Sequence, residues 1–169
     1  MNKTFKLVTF LAIVAAISGL SIGIVNSFTA PRIEENAIAA EKANLEIIYP
    51  GGEFISIDCA DDEGVVIGAY EVKDKGYIFK ATAKGYNSSN PIIALVGMDK
   101  DGKVINVIPL QQAETSGVGT KCFEEGNINN FYIGKAPNDD IDVLTGATFT
   151  SKAMISIIEN SHKMYEQVK

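Results

Sequence analysis

Leu7 to Phe28 is an unbroken run of 22 uncharged, mostly apolar residues, preceded by Lys3 and Lys6. A stretch of that length crosses the hydrocarbon core of a bilayer, which takes roughly 20 helical residues. A cleaved signal peptide has a shorter apolar core, about 7–15 residues, ending at a small-x-small site. Phe28-Thr29-Ala30-Pro31 is a poor match to such a site, and no lipobox-type cysteine lies near it. The pattern predicts an uncleaved transmembrane anchor over residues 1–28, in contact with lipid through residues 7–28. Basic residues count more than acidic ones in setting orientation, and Lys3 and Lys6 lean towards an inside N-terminus. The chain then reads as a single-pass protein of the cytoplasmic (inner) membrane with its polar domain on the extracytoplasmic side.

Beyond the anchor, Thr29-Ala30-Pro31 interrupts the apolar run, and Ile33, Ala37, Ala40, Asn44 and Ile47 or Ile48 recur at helical spacing. They predict a helix from Arg32 to Ile48, in a stalk over residues 29–50 that packs against the domain. Tyr49-Pro50-Gly51-Gly52 stops it. Short strand-like runs follow: Phe54–Asp58, Val65–Val72, Tyr77–Ala83, Ile92–Met98 and Lys103–Leu110. Lys73-Asp74-Lys75-Gly76 and Asp99-Lys100-Asp101-Gly102 are hairpin turns between them. Strands joined by short turns give an antiparallel sheet rather than βαβ units. From Thr148 onward Met154, Ile157, Ile158, Ser161 and Tyr165 mark one face of a C-terminal helix, with Lys152 and Glu159 turned to solvent. The predicted fold class is α+β: an anchor, a stalk, and a domain over residues 51–169 in which the C-terminal helix packs on an antiparallel sheet.

All 21 acidic residues follow the anchor, against 13 of the 15 basic ones, a formal charge of −8 for that part. That balance argues against nucleic acid as a partner and against attraction to anionic lipid. Cys59 and Cys122 have neither CxxC spacing nor a neighbouring histidine, so a closed zinc or iron–sulfur site is not expected; whether they pair is left open by the sequence. Asp61-Asp62-Glu63, Asp74 and Asp139-Asp140 read as solvated turns, and the Asp99–Asp101 loop lacks the spacing of an EF-hand.

Two stretches carry chemistry. The first is Asp142-Val143-Leu144-Thr145-Gly146-Ala147-Thr148, which runs into the C-terminal helix. A helix N-terminus offers unpaired amide donors and the positive end of its dipole to a phosphate, and Gly146 and Ala147 lack bulk. Threonine needs a base to act as a nucleophile, and the only histidine, His162, lies about four turns down the same helix. Self-catalysed chemistry is therefore disfavoured, and no catalytic residue is assigned. As bare sequence, the stretch also reads as a turn and an N-cap. The second stretch, Gln112 to Gly119, is a glycine-rich loop placed after the last strand. Gly85-Tyr86 belongs to a further loop, where the aromatic reads first as a cover for the core and second as a ligand contact.

The spacing Asp-x-x-Thr-Gly-Ala-Thr resembles the flavinylation motif of the covalent FMN-binding domain family. Glu114-Thr115-Ser116-Gly117-Val118-Gly119 is similar to the Glu-Thr-Pro-Gly-Leu-Gly segment of the same family, with Ser116 in place of Pro and Val118 in place of Leu. The resemblance implies FMN held by a phosphoester to Thr148, attached by a separate transferase that uses FAD and a divalent metal. It places Asp142 and Thr145 in transferase recognition or loop orientation, beside Gly146 and Ala147. It also implies that Gly117 and Gly119 let the backbone approach the ring, that Thr115 bonds its edge, that Val118 gives apolar contact, and that Glu114 fixes the loop or bonds a ring substituent. Within the family the chain is similar to G-type subunits of Rnf ion-translocating complexes. The implied function is electron relay among other membrane subunits on a ferredoxin-to-NAD route coupled to Na+ or H+ movement. The C-type subunits of sodium-translocating NADH:quinone reductases share the motif on longer chains. The remaining readings are a stand-alone extracellular flavin carrier and, in another class, an anchored β-rich binding module without cofactor.

Overall fold

The computed structural model describes residues 3–59 and 64–169, so the turn expected at Asp61-Asp62-Glu63 lies outside the described residues. The chain divides into two compact units, Met1–Ala43 and Asn44–Lys169.

The described residues of the first unit lie within helix α1, Lys3–Ile48, whose segment Phe5–Ile33 is long and apolar enough to cross a membrane. The side chains of Phe5, Leu11, Ile22 and Phe28 are all exposed, as a lipid-facing helix requires. Contrary to the expected interruption at Thr29-Ala30-Pro31, the helix continues through Pro31. A proline removes one helical hydrogen bond but is compatible with helical φ. Ser27 Oγ donates to the Ile24 carbonyl (2.8 Å) and Thr29 Oγ1 to that of Val25 (3.0 Å), holding the turn ahead of it. The apolar stripe predicted for the stalk is also displaced. Ile33 and Ile47 are exposed, the Ala37 side chain lies outside the described residues, and burial begins with Leu45, Ile48 and Tyr49.

In the second unit five strands form an antiparallel meander in the order β1-β2-β3-β4-β5: Phe54–Ile57, Val66–Val72, Gly76–Ala83, Ile92–Asp99 and Val104–Gln111. Alternation along the strands gives the sheet two apolar faces. Phe79, Ala81, Ile92, Ala94, Val96, Met98, Val104 and Val107 pack with helix α3, Thr148–Val168, through Ala153, Met154, Ile157, Ile158 and Tyr165. Ile78, Leu95 and Val72 pack with Leu45, Ile48 and Tyr49. A sheet covered on both faces explains why β4 is apolar almost throughout. The Cβ of any larger residue at Gly97 would overlap Ile48 Cγ2.

Between β5 and α3 the chain makes a 3-10 turn, Gly119–Phe123, and a short helix α2, Glu125–Phe131, neither of which the sequence pattern announced. Their buried residues include Cys122 and Ile128, the latter in the core beneath α3. Gly134 N to the Val104 carbonyl (2.7 Å) and Val104 N to the Lys135 carbonyl (2.9 Å) then pair the following segment with the start of β5. In the turn that follows β4, Asp99 Oδ1 accepts from the amides of Asp101 and Lys103, both at 2.9 Å, and closes the hairpin.

Candidate functional site

Helix α3 opens at Ala147, which occupies the N-cap position with φ −126° and offers no side-chain acceptor. Thr148 is the first helical residue, so the reading of Thr148 as a simple cap does not hold. The first helical bond runs from Ser151 N to the Ala147 carbonyl (2.8 Å), which leaves the amides of Thr148, Phe149 and Thr150 at the open end. Gly146, at φ +86°, brings the chain into the helix through the left-handed region that glycine adopts without penalty. The hydroxyls best placed to cap the helix are engaged elsewhere. Ser151 Oγ accepts from Leu144 N (3.1 Å) and lies 3.3 Å from Cys122 Sγ, and Thr150 Oγ1 donates to Glu114. Thr148 itself is exposed.

Glu114 is the buried charge of this region, 7% exposed. Its carboxylate accepts from Tyr86 N (3.2 Å), from Asn87 N (3.1 Å) and from the Thr150 hydroxyl, so one side chain joins the 85–87 loop to the first turn of α3. The charge is compensated by three donors, as burial demands. Two glycines make room for it: a Cβ at Gly85 would stand 2.6 Å from Glu114 Oε1, and one at Gly119 would stand 2.9 Å from Oε2. Beyond it the loop turns on itself, with Val118 N to the Thr115 carbonyl (3.1 Å), Gly117 N to Thr120 Oγ1 (2.8 Å), and Gly117 at φ +71°.

These two segments meet. Glu114, Thr115, Val118 and Gly119 line one cleft with Gly146, Ala147 and Thr148, completed by Tyr86, Phe149 and Thr150. Its volume, about 460 Å³, lies in the range of small-molecule and cofactor sites. Of the sequence-predicted residues, Gly117, Asp142 and Thr145 are not part of this lining; Asp142 and Thr145 are exposed ahead of the helix. Sequence reasoning missed Phe149 and Thr150, although both directly follow the motif threonine. It also read Tyr86 first as a cover for the core, whereas the ring is 70% exposed at the cleft mouth.

Among the described residues no base is hydrogen-bonded to Thr148, and the Glu114 carboxylate of the same cleft accepts from Tyr86 N, Asn87 N and Thr150 instead. Burial pushes the Cys122 thiol up, and the Glu114 charge adds to this against hydrogen bonds from Ser151 and Tyr132. A buried, protonated thiol is inert. No disulfide joins Cys122 to Cys59. His162 is buried, which lowers its affinity for a proton, and at 1.5 Å per residue it stands roughly 20 Å along α3 from Thr148. Among the described residues no group of His, Cys, Asp and Glu could hold a metal ion.

What the cleft offers is an exposed hydroxyl at a helix start with open amides, next to apolar and aromatic walls. That donor set fits a phosphate linked to a planar ring. The FMN-binding domain family matches residues 85–163, the span that contains every residue lining the cleft, and the RnfG N-terminal region matches residues 1–48. The G-type subunit of the Na(+)-translocating ferredoxin:NAD(+) oxidoreductase complex of Acetobacterium woodii is 25% identical over 195 residues, covering 97% of this chain and 92% of its own length. The G-type subunit of the proton-translocating ferredoxin:NAD(+) oxidoreductase complex of Clostridium ljungdahlii is 27% identical over 170 residues, covering 90% and 86%. The G-type subunit of an ion-translocating oxidoreductase complex of Photorhabdus laumondii is 27% identical over 179 residues, covering 89% and 85%. The chain therefore carries an FMN-binding domain over residues 85–163 and an RnfG-type N-terminal region over residues 1–48.

Proposed function

We propose that this chain is a membrane-anchored electron-transfer subunit of an Rnf-type complex, carrying FMN on Thr148. The observation that carries the reading is the placement of Thr148: an exposed hydroxyl on the first residue of α3, at the edge of a cleft lined by both sequence motifs. FMN bound there supplies reversible electron transfer, and the chain's own residues hold and orient it. The open amides of Thr148, Phe149 and Thr150, with the positive end of the helix dipole, would hold the phosphate. Gly146 and Ala147 leave the approach to the hydroxyl unhindered, and Thr115 and Val118 meet the rest of the group.

Because no base is hydrogen-bonded to Thr148 among the described residues, attachment belongs to a separate transferase. The Thr148 oxygen attacks the FMN-side phosphorus of FAD, the phosphoanhydride bond breaks, AMP leaves, and the hydroxyl proton is released to solvent. The exposed Asp142 and Thr145 would be open to recognition by that enzyme. In the complex, other membrane subunits give and take the electrons, on a ferredoxin-to-NAD route coupled to Na+ or H+ movement, with the domain outside the cytoplasm. A phosphoester keeps the cofactor from being lost there.

The test is in-gel flavin fluorescence after denaturing electrophoresis of the full chain, produced with a flavin transferase shown to modify a known relative. A fluorescent wild-type band, dark in Thr148→Ala, is the expected result. A dark wild-type band sinks covalent attachment and favours the anchored module without cofactor.

A further inference from the structure

The large apolar side chains that the second unit leaves exposed are Ile47, Ile55, Ile67, Tyr86, Val118, Val143 and Phe149. The two most exposed, Tyr86 at 70% and Phe149 at 67%, line the same cleft as Val118. Their ring centroids are 6.1 Å apart with planes inclined at 59°. Exposed apolar groups gathered on a polar-rimmed concavity mark a binding surface, whereas scattered ones need no explanation. Here they are gathered from two separate segments, a loop and a helix.

Both segments hang on one side chain. Glu114 bonds the backbone amide of Tyr86 itself and the hydroxyl of Thr150, the residue after Phe149. The bond to Asn87 N fixes the loop a second time (3.1 Å), and Gly85 and Gly119 leave the carboxylate room that a Cβ at either position would take. With three of its roughly four acceptor sites taken by protein donors, Glu114 is better suited to holding the protein than to recognising a ligand directly. It sets where the rings stand.

We propose that Tyr86 and Phe149 form an aromatic wall on which the isoalloxazine ring of FMN packs, with Glu114 as its positioning residue. This rests on the reading of Thr148 as the attachment point and extends it to the other end of the cofactor. Packing a planar ring between two others needs about 3.5 Å on each side. The 6.1 Å separation and the inclination are too tight for that, so the flavin lies against the pair instead of between its members. Phe149 adjoins Thr148 in the chain, so a cofactor tethered at Thr148 starts beside the wall.

The test uses the full chain with covalent flavin, comparing wild type with Tyr86→Leu, Tyr86→Phe, Phe149→Leu, the double leucine variant and Glu114→Gln. Tyrosine in contact with a flavin quenches its fluorescence, while leucine and phenylalanine do not. The native fluorescence yield is therefore expected to rise severalfold in Tyr86→Leu and Tyr86→Phe. The visible circular dichroism of the flavin should fall in the leucine variants and persist in Tyr86→Phe. Both differences should vanish on denaturation, where every variant shows the same flavin content. Glu114→Gln should move both signals in the same direction, and adding it to the double leucine variant should change little further. Unchanged native fluorescence and dichroism in the double leucine variant, at full flavin content, would overturn the wall. An effect of the leucines without one from a folded Glu114→Gln would overturn the positioning role. A wild-type chain without covalent flavin overturns the Thr148 reading instead. The wall is then probed with free FMN, whose fluorescence the wild type should quench and the double variant should not; no quenching by the wild type overturns the wall as well.

Discussion

The phenol of Tyr49 donates to the Met98 carbonyl across 2.7 Å, tying the end of α1 to strand β4. The same oxygen lies 3.3 Å from the Lys75 carbonyl, and the ring is buried. Burial, with the charge of Asp99 adding to it, pushes the Tyr49 pKa up to about 12. The unfolded chain ionises near 10, so it releases protons before the folded chain does. The stabilising contribution is complete below pH 10 and is lost as pH rises towards 12. Tyr49→Phe should cost about 1–2 kcal/mol at neutral pH and weaken the alkaline fall in stability, both measurable by urea unfolding of the full chain in detergent.

Gly97 and Ile48 form a second close contact of the same junction. A side chain on Gly97 overlaps the Ile48 methyl, so Gly97→Val should destabilise by about 1–3 kcal/mol through overpacking. Ile48→Ala should restore part of the loss in the double variant, although alone it removes buried surface. A strictly additive double-mutant cycle would refute the contact.

Two threonines of the same helical turn should behave as opposites. Thr148 is exposed and makes no cap bond, so Thr148→Ala should leave stability within about 0.5 kcal/mol of wild type while abolishing flavin attachment. Thr150 is 2% exposed and donates to buried Glu114, so Thr150→Val should cost about 1–3 kcal/mol. Thermal unfolding alongside flavin fluorescence separates the two.

His162 predicts an acid limb. Its Nε2 is buried without a hydrogen-bond partner among the described residues, and burial lowers its pKa below the ordinary 6.5, against the Gly102 and Lys135 carbonyls and the charges of Asp139 and Glu166. The unfolded chain takes up the proton first, so stability is complete above pH 6.5 and declines as pH falls below it. His162→Leu should flatten the decline between about pH 6.5 and 5; an unchanged slope would assign it to carboxylates instead.

The elements with a regular period were legible. The C-terminal stripe Met154, Ile157, Ile158, Ser161 and Tyr165 is buried throughout, and the strands fall in the antiparallel order that their short turns require. The placement of Thr148 at the start of α3 was legible too, because glycine and a threonine-rich turn punctuate a helix start. What escaped was fixed by contacts distant in sequence. Helix α2 is built on Glu-Gly-Asn-Ile-Asn-Asn-Phe, a poor helix former, and is held by Asn127 Nδ2 on the Lys121 carbonyl (2.8 Å). The buried face at the end of α1 is chosen by the gap over Gly97, not by the stripe along the helix. The site of Tyr86 depends on Glu114, 28 residues further on, and a loop has no periodicity to reveal it.

The packed interior of the domain is closed by protein side chains alone, while Thr148 sits outside it. With FMN attached at Thr148 as proposed, maturation would separate into two independent acts: the polypeptide would reach its native form first, and the transferase would work on a finished surface. Cells starved of flavin would then accumulate a folded, empty pool that is charged when supply returns, without resynthesis.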